Sequence, residues 1–203
     1  RVESGQRQLV NWPISVGGEA VPVVEEYTYL GVVVTRDMDL KVMAKGRLKK
    51  AEKALAAIRP MLRDQEIPLA MRVLVFKTRV LSSVLYGAEV WGMREDRCRP
   101  AQTLVNKGLR LIMGCSETDT RIPIGALQKE LDVAPIYALA AGRRARAFKK
   151  YGSLKTWCKV LFEYPMKNEH SSAWIKQTQT RLNSFCEGEA EKVNVRAVFL
   201  LNI

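Results

Sequence analysis

The chain has 203 residues, 47% of them hydrophobic, enough to bury a core and suited to one large domain or two small ones. Lysine and arginine outnumber aspartate and glutamate by 33 to 21, a formal net charge of +12, and the summed field favours a polyanionic partner, nucleic acid first and an anionic membrane surface second. No apolar run approaches the roughly 18 residues of a membrane span and no signal-like segment opens the chain, which reads from Arg1 as a piece of something longer.

The first 36 residues read as β structure. "WPISV" and "EAVPVV" flank Gly17-Gly18, and two glycines between apolar stretches signal a hairpin because both can take positive φ. Pro13 and Pro22, lacking ladder donors, mark these strands as edges or irregular. "YTYLGVVV" reads as a third, more apolar strand, and everything after it as helix.

A first helix is expected from Leu40 to Ile58 with Asp39 as its N-cap, because Leu40, Met43, Ala44, Leu48, Ala51, Leu55 and Ile58 recur at helical spacing. Lys41, Lys45, Lys49 and Lys53 follow one another at four-residue intervals on another side. Like charges so placed destabilise an isolated helix by roughly 0.2–0.5 kcal/mol per pair. The ridge is either a solvated face or a helix laid along a phosphate backbone, which would neutralise the repulsion. A second helix, Pro68 to Trp91, is apolar on nearly every side and so reads as the buried centre of a bundle. A third follows Pro100 and stops at Gly114. "IGALQKELDV" suggests a short helix, and Pro135 opens a longer one carrying Arg143, Arg144, Arg146, Lys149 and Lys150 without an intervening acid. Further helix is expected around Trp157, Phe162 and Trp174, while the acidic and then apolar stretch from Glu187 to Ile203 has no assigned place.

Catalytic chemistry finds few candidates. Cys98, Cys115, Cys158 and Cys186 are scattered and His170 is the single histidine, so neither a zinc spacing nor a disulfide framework emerges, and reduced thiols in an intracellular compartment are expected. His170, in the polar "KNEHSSAW", reads as an exposed histidine rather than an oriented base. Among the close carboxylates, Asp37 and Asp39 are the pair suited to a divalent cation, but a turn aspartate followed by an N-cap aspartate accounts for them without one. No catalytic residue, metal ligand or cofactor is therefore assigned.

The ordered series "VPVVEEYTYLGVVVTRDMD", a basic helix, "RVLVFKTRVLSSVLYGAEVWG" and "NKGLRLIMG" resembles the region after the catalytic palm in non-LTR (LINE-type) retrotransposon reverse transcriptases; "ALQKELDVAPIYALAAGRRARAF" is similar to the helical segment beyond it. The resemblance covers about residues 12 to 160. It implies a mainly α fold: a β primer-grip-like segment over 1–36, a thumb-like antiparallel bundle over 37–115, and a basic helical extension over 116–203. It also implies that Tyr29, Leu30 and Gly31 lie near a primer terminus, and that Lys41, Lys45, Lys49 and Lys53 contact phosphates from the first thumb helix. Arg143, Arg144, Arg146, Lys149 and Lys150 would bind from the extension. The implied partner is RNA or an RNA/DNA hybrid, together with a palm-containing polypeptide or other ribonucleoprotein subunits. No two aspartates are adjacent in the sequence, whereas the family's nucleotidyl transfer needs such a pair to hold metal ions. The chain alone is thus expected to bind without polymerising, either as the C-terminal section of a reverse transcriptase or as a domesticated RNA-binding subunit of a ribonucleoprotein such as an organellar ribosome.

Overall fold

The computed structural model describes residues 15–22, 24–36, 39–92, 94–155 and 173–188, with side chains in the last stretch from 174 to 183. Two short hairpins precede seven helices among these residues. The expected helix around Trp157 and Phe162, His170, and the stretch beyond Gly188 lie outside the described residues.

Strands β1 (Ser15–Val16) and β2 (Glu19–Ala20) pair antiparallel about Gly17 and Gly18, both at positive φ, as the two glycines predict. The third strand expected over "YTYLGVVV" is instead a second hairpin, β3 (Glu26–Tyr29) and β4 (Val32–Thr35), with Tyr29 opposite Val32. Leu30 (φ 46°) and Gly31 (φ 77°) make a two-residue turn in which both residues are left-handed. The apolar run hid this break because a leucine seldom adopts positive φ, and only Gly31 marks it. β3 is exposed throughout, whereas β4 is half-buried against the next helix.

Helix α1 spans Leu40–Arg63. The Asp39 carboxylate accepts from the Lys41 amide at 2.8 Å, the expected cap, while the Asp39 amide donates to Thr35 Oγ1 at 2.8 Å and ties hairpin to helix. The helix continues past Ile58 through Pro60, because the turn beyond is held by Leu62, which is fully buried.

The predicted second helix divides. α2 comprises Leu69–Phe76, a π-helical turn Lys77–Leu81 and Ser82–Leu85; Gly87 at φ 74° then breaks the chain before α3 (Ala88–Trp91). Nor is α2 buried all round: Phe76, Val80, Val84 and Leu85 face the core, but Leu69, Met71 and Leu74 are exposed. One of its charges goes inward. Arg72 is buried and donates to the carbonyls of Ile112 at 2.6 Å and Leu62 at 3.5 Å, so one guanidinium serves the C-terminal ends of two helices, where carbonyls lack helical partners.

Helix α4 (Glu95–Ile112) begins before the expected start at Pro100 and ends at Gly114 (φ 73°). Gly114 donates to Leu111 and Cys115 to Arg110, closing a Schellman motif. α5 (Ile124–Glu130) and α6 (Ile136–Ser153) match the predicted short and long helices, and Gln102 Oε1 accepts from the Ile136 amide at 2.7 Å at the mouth of α6. α7 (Ala173–Gly188) packs on α6. The core joins α1, α2 and α4 through Leu55, Leu62, Phe76, Val80, Val105 and Leu109, and extends under α6 by Trp91, Ile136 and Ala140. No helix among the described residues is long and apolar enough to cross a membrane.

Candidate nucleic-acid interface

Helix α1 sorts its residues by face. Met43, Arg47, Ala51 and Leu55 turn inward, and Lys41, Lys45, Lys49 and Lys53 are all exposed. None of these four lysines forms a salt bridge among the described residues, although Glu52 stands beside Lys53 in the chain. A four-residue step advances about 400° around the axis, so the ridge precesses by about 40° per lysine as it climbs about 18 Å.

The β3–β4 turn is seated next to this ridge. Tyr86 Oη donates to the Leu30 carbonyl at 3.0 Å and Lys50 Nζ to the Gly31 carbonyl at 3.3 Å. Arg47 lies beneath the turn with its guanidinium 3.9 Å from the centre of the Tyr86 ring. Its Nη2 stands 3.2 Å from where a Gly31 side chain would begin, so a side chain there would be both strained and crowded. Arg47 is buried, and its Nε and Nη2 have no hydrogen-bond partner among the described residues. Burial lowers its pKa, opposed by the neighbouring Tyr86, and the ring face supplies the compensation that hydrogen bonds do not. With the turn fixed from below, Tyr27, Tyr29 and Leu30 are left more than 60% exposed and turned to solvent.

The basic cluster on α6 separates into two groups. Arg144 requires a correction: it is buried and unable to meet a ligand at the surface. Its guanidinium donates to Thr178 Oγ1 at 2.8 Å and to the carbonyls of Trp174 at 3.0 Å and Gly92 at 3.3 Å. Burial and the nearby Arg97 push its pKa down to about 10, which leaves it protonated at neutral pH. Arg143 is half-buried and holds the Leu85 carbonyl at 3.0 Å, its pKa lowered by burial. Arg146, Lys149 and Lys150 remain exposed; Arg146 and Lys150 border a shallow cleft with Glu89 and Tyr151.

Five carboxylates form ion pairs among the described residues. Glu25 pairs with Arg36, Asp96 with Arg94, Glu117 with Arg59, Asp119 with Arg121 and Asp132 with Lys77. Among the described residues no three acids, histidines or cysteines gather as metal ligands. Arg47, Arg72 and Tyr86 escaped the sequence reading. In the sequence Arg47 stands among the other cations of a basic helix and Tyr86 inside an apolar run, and only Gly87 hints that Tyr86 leaves the helix to face the hairpin.

No known protein family, curated protein or solved structure matches the chain.

Proposed function

We propose that the chain binds RNA or an RNA/DNA hybrid as a thumb-type module of the kind that follows the palm in non-LTR reverse transcriptases, with the α1 ridge along the phosphate backbone. The observation that carries this reading is the row of four exposed lysines, none in a salt bridge among the described residues, beside a hairpin held by Tyr86 and Lys50 whose tyrosines face solvent. A protein that needed only solubility gains nothing from aligning like charges, because intervening acids would remove their repulsion. Phosphates remove it too, and a span of about 18 Å meets several of them.

Such contacts position without reading base edges, so binding is largely blind to sequence. Exposed Tyr27 and Tyr29 offer ring faces to sugars or unstacked bases at the end of the ridge nearest Gly31. For this chain alone the reading is binding rather than nucleotidyl transfer, since these 203 residues contain no adjacent aspartates. Exposed Arg146, Lys149 and Lys150 on α6 offer a second group of cations for phosphates.

A salt titration tests the reading. Replacing Lys45, Lys49 and Lys53 by Gln lowers the magnitude of the slope of log K against log[salt] by about 2–3 on an RNA/DNA duplex, and by somewhat less on single strands. Replacing the exposed Lys129 of α5 is the comparison and leaves the slope within error. An unchanged slope in the folded triple variant would reduce the ridge to a solvated face.

A further inference from the structure

We propose that the groove between α1 and α4 is a docking site for a short acidic segment of a protein partner that presents one or two large apolar side chains. Ala44, Leu48, Val84, Trp91, Pro100 and Ala101 form its floor and walls, enclosing about 430 Å³. Lys41, Lys45 and Arg97 stand at its rim. Asp96, the one acid among the described residues that line the groove, is held by Arg94 through two bonds of 3.0 and 2.9 Å, and no carboxylate among the described residues forms a salt bridge with the three rim cations.

The lining selects the occupant. A nucleobase placed on this carbon floor would bury its polar edges without partners, and Trp91, itself buried, offers no free ring face for stacking. A floor of this kind takes leucine or phenylalanine. The groove is half-open, which suits side chains carried on a backbone lying across the two helices better than a free acyl chain that needs cover along its length. Charge complementarity with Lys41, Lys45 and Arg97 places carboxylates on either side of the apolar residues. Lys41 and Lys45 also head the α1 ridge, so the occupant competes there with nucleic acid; this last step rests on the function proposed above.

The probe is a fluorescein-labelled peptide with a central Leu-Phe pair between runs of glutamate, followed by anisotropy on the 203-residue protein. It binds saturably, and the same peptide with Ser-Ser at its centre does not. Ala44→Leu fills the groove from a half-buried helical position and weakens binding tenfold or more; Ala44→Gln is the second variant should the first perturb the fold, checked by circular dichroism. The double replacement of Lys41 and Lys45 by Gln weakens binding about three- to tenfold, as expected for two exposed ion pairs. Equal binding of the Ser-Ser peptide, or an affinity unmoved by both folded Ala44 variants, overturns the proposal. So does saturable binding of decanoate, sensitive to Ala44→Leu, by a protein that ignores the peptide. If the peptide binds but leaves RNA affinity unchanged, the docking site stands and the ridge reading fails.

Discussion

The guanidinium of Arg144 lies 5.0 Å from the centre of the Trp174 ring and donates to that residue's carbonyl at 3.0 Å, fastening α7 to α6. The same group reaches the Gly92 carbonyl behind α3 and the Thr178 hydroxyl one turn along α7. Three elements thus share one cation. Buried and hydrogen-bonded to several neutral acceptors, it is held by charge-assisted bonds whose loss strands every partner at once.

Arg144→Ala is therefore expected to cost about 3 kcal/mol or more, measured by urea denaturation. Arg144→Lys recovers little, because an ammonium cannot span the acceptors that the planar fork reaches. On the function proposed above, the folded fraction keeps a salt-dependent affinity for nucleic acid, since Arg144 is buried. Replacing Arg146 and Lys150 by Gln gives the opposite pattern: weaker binding, a shallower salt slope and an unmoved denaturation midpoint.

That contrast shows what was legible in the sequence. The amphipathic spacing of α1, the Asp39 cap and the stop at Gly114 depend on neighbours a few positions away, and all three follow from local patterns. Arg144 and Arg146 are two positions apart in one basic run, yet face opposite ways, because Arg144 is claimed by carbonyls more than fifty residues earlier, at Val90 and Gly92, and by Thr178 thirty-four later. Arg72 was likewise invisible, since its partners are the ends of α1 and α4, which meet only in the folded bundle. Counting charges finds a basic face; it does not find the cation spent on helix ends.

The hairpin seat gives a prediction of local rather than global stability. Tyr86→Phe removes the bond to the Leu30 carbonyl and keeps the ring under Arg47, so it should cost about 0.5–1.5 kcal/mol. Hydrogen exchange will show faster opening of the β3–β4 amides than of α4. Tyr29→Phe, at a residue 61% exposed, changes the midpoint little. Equal acceleration across hairpin and α4 in Tyr86→Phe would mean that the turn is not held from Tyr86.

Acid sensitivity should include a contribution from the loop before α5. The Arg121 side chain beside Asp119, aided by the Arg121 amide, holds the Asp119 carboxyl down at about 2. A folded-state pKa below the unfolded value of about 3.9 means that this contribution is fully present above that value and is lost as pH falls toward 2. Asp119→Asn removes it, so stability measured between about pH 4 and pH 2 will fall less steeply than in the parent. An unchanged acid limb would show the pair to be equally formed in the unfolded chain.

The helix glycines sort by what stands opposite them. A side chain begun at Gly108 would overlap Cε2 of Phe76 and stand 2.9 Å from its Cζ, and Phe76 is fully buried, so the ring could yield only by repacking the core. Glycine in mid-helix sacrifices about 1 kcal/mol relative to alanine, so its presence there implies a larger gain from close packing of α2 on α4. Gly108→Ala should therefore destabilise by about 1–3 kcal/mol despite the better helix former. Gly142→Ala on α6, where nothing among the described residues lies within 4 Å, should stabilise by roughly 0.5–1 kcal/mol. The decisive measurement is the double variant: Phe76→Leu makes room for the new methyl, so Gly108→Ala with Phe76→Leu will be less destabilised than the sum of the singles, by about 0.5–3 kcal/mol. Strict additivity would mean that Gly108 is destabilised for some reason other than the ring it faces, and the close approach of α2 and α4 would no longer explain a glycine at that position.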